Sequence, residues 1–434
     1  MYLALLAVFV IGYLFIALEH TVKIDKAATA LLTGTLCWVL FILGRDSFLA
    51  SVDGEEAIAF VNEGLKENLG EIAEILFFLL GAMTIVEIID AHEGFSVITD
   101  RITTTNRVKL LWILCLLTFF LSAALDNLTT AIVMSALLRK LISERKDLWL
   151  FAGLLIIAAN AGGAWSPIGD VTTIMLWIGG QVTAMNIISE IFLPSVVCLL
   201  VPLGITSLRL KGTISTIQEP QFEGAHHTTI SNFDKKFVFA LGIGALLFVP
   251  IFKTLTHLPP FMGILLGLSV IWITTELLHR NKSMEQRRIL SISKVLQRID
   301  TPSILFFLGI LTAVGALQSA GHLADMSRLL DANFNSIYAI NAIIGVLSSI
   351  VDNVPLVAGT MGMYTLETYP TDDNFWELLA LCAGTGGSIL IIGSAAGVAI
   401  MGILKIDFMW YLKHISLLAF LGYVAGILTF MLIN

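Results

Sequence analysis

A chain of 434 residues that is 57% hydrophobic and only 13% charged cannot be a soluble globular domain, where charged residues alone run at about 25%. Its formal net charge of -8, with no basic cluster carrying interleaved aromatics, points away from a nucleic-acid partner. What remains is a polytopic membrane protein built from helices, because lipid offers no hydrogen-bond partner to an open strand edge.

Taken in chain order, the apolar run 2–18 lacks a basic flank and a small-residue cleavage site, so it reads as a retained helix and not a signal peptide. The run 24–44 is also long enough for a hydrocarbon core that needs about 20 helical residues. The acidic stretch DSFLASVDGEEAIAFVNEGLKENLGE (46–71) reads as an exterior loop, and the span after it ends on Glu87, Asp90, His92 and Glu93. His92 is a candidate pH sensor there, since histidine changes charge near neutrality; a solvated helix end is the plainer reading, and Glu276 with His279 resembles it at another span end. Residues 107–142 carry basic residues at both ends and Asp126-Asn127 in the middle, which predicts a hairpin that enters and leaves on one side. A Gly-interrupted helix follows at 148–178, then a closing span at 187–208 and a polar cytoplasmic linker, 211–236, that holds His226 and His227. The second half, 237–434, repeats this order, with a hairpin at 336–366 around Asp352-Asn353, an exterior acidic loop at 367–377 and a broken helix at 377–403. Cys37, Cys115, Cys198 and Cys382 all fall in apolar runs without CxxC spacing, and read as small buried hydrophobes. Trp112, Trp149, Trp177, Trp272 and Trp410 read as interfacial anchors, with Trp165 inside the first break.

Of the 25 Lys and Arg residues, all but Arg45, Lys66, Lys253 and Arg328 fall in one set of connections, which the positive-inside rule makes cytoplasmic. This orientation fits a multi-pass protein of the cell inner (plasma) membrane. An internal repeat supports the same topology: ILFFL at 75–79 recurs at 304–308, LSAALDNLTT at 121–130 matches LSSIVDNVPL at 347–356, and NAGGAWSPIGD at 160–170 matches GTGGSILIIGS at 384–394. An odd number of crossings per half turns the second copy upside down. The predicted fold class is an all-α polytopic membrane protein of two inverted-topology repeats, 1–210 and 237–434, each with about five transmembrane helices, a re-entrant helical hairpin and a broken helix.

Broken helices free carbonyls and amides that are tolerated at membrane depth only when buried, solvated or bound to ions. Gly162, Gly163, Pro167 and Gly169 mark the first break, and Gly384, Gly386, Gly387 and Gly393 the second; close helix packing by small residues is the plainer account of them. Around the first break and hairpin tip lie Asp126, Asn127, Thr129, Thr130, Asn160, Asp170, Thr172 and Thr173. Hard cations take such oxygen ligands, and an intramembrane carboxylate is a functional-site hypothesis by default. Na+ is therefore expected at Asp126, Asn127, Asn160 and Asp170. A buried carboxylate that holds either a proton or a cation makes each ligand expel the other, so Asp126 and Asp170 are the expected competing groups, with Asp352 a third. Helix capping competes with this role for Asp126 and Asp352, and bonding back to the helix competes for Thr172 and Thr173.

SAALDN and SSIVDN, with AANAGGAWSPIGDVTT between them, resemble the NhaD-type sodium/proton antiporters of the ion transporter superfamily over about residues 70–400. The resemblance implies an elevator-like homodimer, with a scaffold from the first spans of each half and a transport domain carrying hairpins and broken helices. It also implies functional positions at Asp126, Asn127, Asn160, Asp170, Thr172, Thr173, Ser348 and Asn353. The expected activity is exchange of Na+, or Li+ in its place, for H+, with those ions and the bilayer as partners and no cofactor. A carrier of dicarboxylate or arsenite from the same superfamily is the nearest rival. A membrane-embedded aspartyl hydrolase is more remote, because a dyad needs its carboxylates within shared-proton distance.

Overall fold

The computed structural model describes residues 1–434 apart from 18, 49–53, 101, 103, 215–229, 281, 283, 285, 286, 288, 289 and 335; His226 and His227 therefore lie outside the described residues. The protein is an all-α polytopic membrane protein: among the described residues nine helices are long and apolar enough to cross a membrane, and β-pairing is limited to an isolated bridge between Asn106 and Thr213.

The longer helices of the first half are α1 (Tyr2–Ala17), α2 (Lys26–Leu43), α3 (Gly54–Ala91), α4 (Arg107–Leu125), α5 (Asn127–Leu141), α6 (Arg145–Ala164), α7 (Val171–Ile178) and α8 (Ala184–Arg209). Those of the second half are α9 (Asn232–Thr256), α10 (Pro260–His279), α11 (Thr301–Ser319), α12 (His322–Asn333), α13 (Ile337–Leu347), α14 (Asn353–Met363), α15 (Asn374–Gly386), α16 (Ala395–Leu404), α17 (Phe408–His414) and α18 (Ser416–Ile433). Capping residues fix most starts. Asp25 accepts from the Ala27 amide at the head of α2 (2.8 Å), Asn106 from Lys109 at α4 (2.9 Å) and Asp373 from Phe375 at α15 (2.8 Å), each satisfying an amide that has no partner inside the helix.

One expectation needs correction. From Gly54 onward the acidic stretch is not a loop, because α3 begins there and runs through it. Ala57 and Val61 recur at helical spacing and are buried, while the flanking Glu55, Glu56, Glu63, Lys66 and Glu67 are strong helix formers. A further helix, α12, occupies the connection between α11 and α13.

Packing follows a matched pattern in the two halves. α1 packs on α2 as α9 packs on α10; α2 packs on α11 as α10 packs on α3; α4 packs on α6 as α13 packs on α15; and α5 packs on α16 as α14 packs on α7. At the centre, α6 and α15 are buried on all sides from Ala152 to Ala164 and from Phe375 to Gly386. Their surroundings are protein rather than lipid, which small residues at close helix crossings permit. All four cysteines are buried and free. Trp149 and Trp177 are also buried and are not lipid-interface anchors: the Trp149 indole donates to the Leu404 carbonyl (3.2 Å), and Trp177 lies beneath the Lys253 ammonium at 4.7 Å.

Candidate functional site

Two helix interruptions build the site. α6 ends at Ala164 and α7 starts at Val171; α15 ends at Gly386 and α16 starts at Ala395. Gly163 and Gly169 lie back to back across the first gap, and Gly387 and Gly393 across the second. Pro167 is buried in the first gap. Asp170 caps α7, accepting from the Thr172 amide and hydroxyl (both 2.9 Å), while its own amide donates to the Thr173 hydroxyl (3.2 Å). Ser394 caps α16 in the corresponding place, accepting from the Gly397 amide (3.1 Å).

Two tight turns close on these interruptions. α4 and α5 meet at Asp126, whose φ of 84° is costly for a residue with a Cβ. The Asp126 carboxylate turns back on its own helix, accepting from the Thr129 amide (2.7 Å) and hydroxyl (2.8 Å). That geometry sends the next side chain, Asn127, inward, where its amide donates to the carboxylate of Asp170 and to the Asn160 oxygen (3.1 Å). Asp352 likewise caps α14 through the Val354 amide (3.2 Å), and the Asn353 amide faces both Asp170 oxygens at 3.4 and 3.5 Å. Each Asp-Asn pair thus divides its labour: the aspartate caps and the asparagine reaches the centre.

Asp170 is 1% exposed, and its carboxylate is held by an asparagine from each turn and by Thr172. Asn160 joins the two interruptions, donating to Ser388 and Ser394 (both 2.9 Å). Of the residues expected from the sequence, Asn127, Asn160, Asp170, Thr172, Thr173 and Asn353 meet in this cluster. Asp126 and Thr129 lie beside it, with Asp126 in electrostatic reach of Asp170. Ser348 donates instead to the Ala383 carbonyl (2.8 Å), as Ser122 does to Ala159 (2.5 Å), so both serines anchor a turn on a central helix. Asp352 pairs with Lys26. Ser388 and Ser394 went unassigned on sequence grounds, although Ser394 stands opposite Asp170 in the repeat. The Thr130 hydroxyl is buried with no partner among the described residues.

At the far end of α3, His92 meets His279 of α10, with Nε2 to Nε2 at 2.7 Å and the rings stacked. The His92 Nδ1 lies 2.7 Å from the Ile88 carbonyl and so carries the proton, which makes its Nε2 the acceptor from His279. The Asp234–Lys282 ion pair (2.6 Å) stands beside them. Burial above all, with the Lys282 charge, holds His92 below the ordinary histidine value of 6.5, against the opposing effect of the Ile88 bond. The folded protein therefore binds fewer protons at His92 than the unfolded chain does, so the stability from the neutral pair is complete above about 6.5 and is lost as pH falls below it. Wild-type Tm in detergent is expected to drop more between about pH 7 and pH 5 than that of His92→Gln; parallel curves would refute the assignment.

The citrate transporter (CitMHS) family matches residues 13–375. Sodium/proton antiporter 1 of Arabidopsis thaliana is 49% identical over 99% of this chain and 72% of its own length. Sodium/proton antiporter 2 of the same plant is 46% identical over 98% of both chains. The Na(+)/H(+) antiporter NhaD of Vibrio cholerae is 33% identical over 99% of this chain and 91% of its own. With the matches spanning the hairpin turns and the first interruption, the chain belongs to the NhaD-type sodium/proton antiporters of the ion transporter superfamily, which are secondary transporters and not enzymes.

Proposed function

We propose that this protein exchanges Na+, or Li+ in its place, for H+ across the cell inner (plasma) membrane, through competition of the two ions at Asp170 with Asp126 as the second carboxylate. The observation that carries this reading is the buried Asp170 carboxylate ringed by Asn127, Asn353 and Thr172. With the carboxylate anionic, the amides present N–H groups to it; turned over, the same amides of Asn127, Asn160 and Asn353 present oxygens, as a hard cation requires. A proton on Asp170 removes the charge the cation needs, and the cation disfavours the proton. Crossing the bilayer with the site empty leaves an uncompensated charge in low dielectric, which is costly, so the site moves loaded with one ion or the other.

The architecture supports alternating access. We read the halves as inverted repeats and the α4–α5 and α13–α14 pairs as re-entrant hairpins. On this reading α1–α3 and α9–α11 form a scaffold in a homodimer, past which the hairpins and broken helices slide as an elevator. A carboxylate or citrate carrier is disfavoured, because the amides of Asn127 and Asn353 are already committed to the buried carboxylate of Asp170, whose negative charge, with Asp126 in electrostatic reach, repels an anionic substrate. Purified protein in liposomes should take up or release protons on addition of NaCl and stay silent with citrate. Citrate uptake without sodium-dependent proton movement would overturn the assignment.

A further inference from the structure

We propose that Lys26 is a positioning residue for the exchange: its ammonium is a built-in cation that occupies Asp352 at the second hairpin tip and competes with the transported ion for the field of the site. This rests on the sodium/proton reading above. Lys26 is the first residue of α2, and Asp352 caps α14, a helix that packs on α11 and α7. Lys26 Nζ lies 3.4 Å from Asp352 Oδ2, with the two side chains 26% and 16% exposed, and 4.3 Å from the centre of the Phe306 ring of α11. The position is built rather than incidental. Asp25 caps α2, and the Lys26 amide donates to Glu19 (3.3 Å), which together fix where the side chain starts. Beside the pair opens a cavity of about 260 Å³ that brings Glu19, Asp25 and Lys26 together with Leu128, two residues from Asp126, and with Asp300 and Ala395.

The charged and titratable groups around the Lys26–Asp352 pair are Glu19 and Asp25 before α2, Asp300 before α11, and Tyr13 on α1 beside Asp352. The Tyr13 hydroxyl is buried without a hydrogen-bond partner among the described residues and lies in electrostatic reach of Asp352. Asp352 in turn lies in electrostatic reach of Asp170. Lys26 therefore does two things at once. It cancels the negative field that Asp352 would otherwise add at Asp170, and it ties a hairpin tip to a wall helix, so displacement of the hairpin must separate a partly buried ion pair. The first effect lowers the affinity of the site for any cation, Na+ and H+ alike, and the second favours the conformation in which the pair is closed.

The test is Na+-driven proton movement in everted vesicles, measured across pH. Lys26→Gln is expected to lower the apparent KM for Na+ by about threefold to tenfold and to move the pH profile up by about half a unit to one unit, since both ions gain the uncancelled Asp352 charge. Lys26→Arg should restore both parameters, because it keeps the charge. Lys26→Gln added to Asp352→Asn should change neither. In purified protein without Na+, the two substitutions should lower Tm non-additively. An unchanged KM and pH profile in Lys26→Gln, or additive effects on Tm, overturns the role of Lys26 while leaving sodium/proton exchange intact. Absence of exchange in the wild type overturns both.

Discussion

Asp170→Asn leaves a protein that folds and reaches the membrane but has lost Na+-driven proton movement by at least about 100-fold, the equivalent of about 3 kcal/mol for removing the charged partner from a buried ion site. The substitution isolates charge from structure. Asparagine caps a helix as well as aspartate does, so the oxygen that accepts from the Thr172 amide, and with it the start of α7, is retained. What disappears is the proton-binding carboxylate and, with Oδ2, the acceptor shared by Asn127 and Asn353. Asp170→Glu restores the charge but displaces it by one methylene in a cluster with no exposed side, so partial recovery is the expected outcome. The readout is fluorescence dequenching of a pH probe in everted vesicles, normalised to protein level. Retention of more than a tenth of the wild-type rate by Asp170→Asn would remove Asp170 from the centre of the mechanism.

The second large effect is structural. A Cβ built on Gly162 would stand 2.2 Å from the Phe119 carbonyl oxygen, and one on Gly386 would stand 2.0 Å from the Gly345 carbonyl oxygen. In both cases the obstacle is the backbone of a hairpin helix, α4 or α13, which cannot rotate away as a side chain can. Overpacking of a flexible core costs about 1–3 kcal/mol, and a clash between two backbones lies at or beyond the top of that range. Gly162→Val and Gly386→Val should therefore give little monodisperse protein in detergent. Gly384→Ala is the control. Its Cβ would meet the Ala164 Cβ at 3.2 Å, which a shift of a few tenths of an ångström relieves, so a near-normal elution profile is expected. Equal yields for Gly386→Val and the wild type would mean that the hairpin does not rest on the central helix as described.

The sequence carried a large part of this arrangement in local signals. The turn at Asp126 and the interruptions after Ala164 and Gly386 sit at an Asp-Asn pair and at clustered glycines, which are intelligible from helix geometry alone. Asn160, Asp170 and Thr172 could be named because polar groups in an apolar run demand a reason. The division of roles inside each Asp-Asn pair could not, since capping and inward projection differ by one residue and depend on the backbone angle at the turn. Nor could the contacts between distant positions. Lys26 meets Asp352, His92 meets His279, and Asn160 meets Ser388 and Ser394, and no local pattern ties together partners on different helices. The acidic stretch from Gly54 was misread for another reason: its charge resembles a loop, while its buried Ala57 and Val61 follow a helical period that the surrounding carboxylates obscure.

The tie from Asn160 to Ser394 has a consequence for how such a chain arises. If the halves descend from one duplicated gene, their ancestor placed identical side chains at both positions, and two facing asparagines or two facing aspartates would have competed for one space. Fusion into a single polypeptide let the copies diverge: one kept the acid at Asp170, and the other traded it for the hydroxyl of Ser394 that accepts the Asn160 amide. The matched packing of the two halves therefore coexists with unlike chemistry at its centre, a carboxylate at the head of α7 and a hydroxyl at the head of α16.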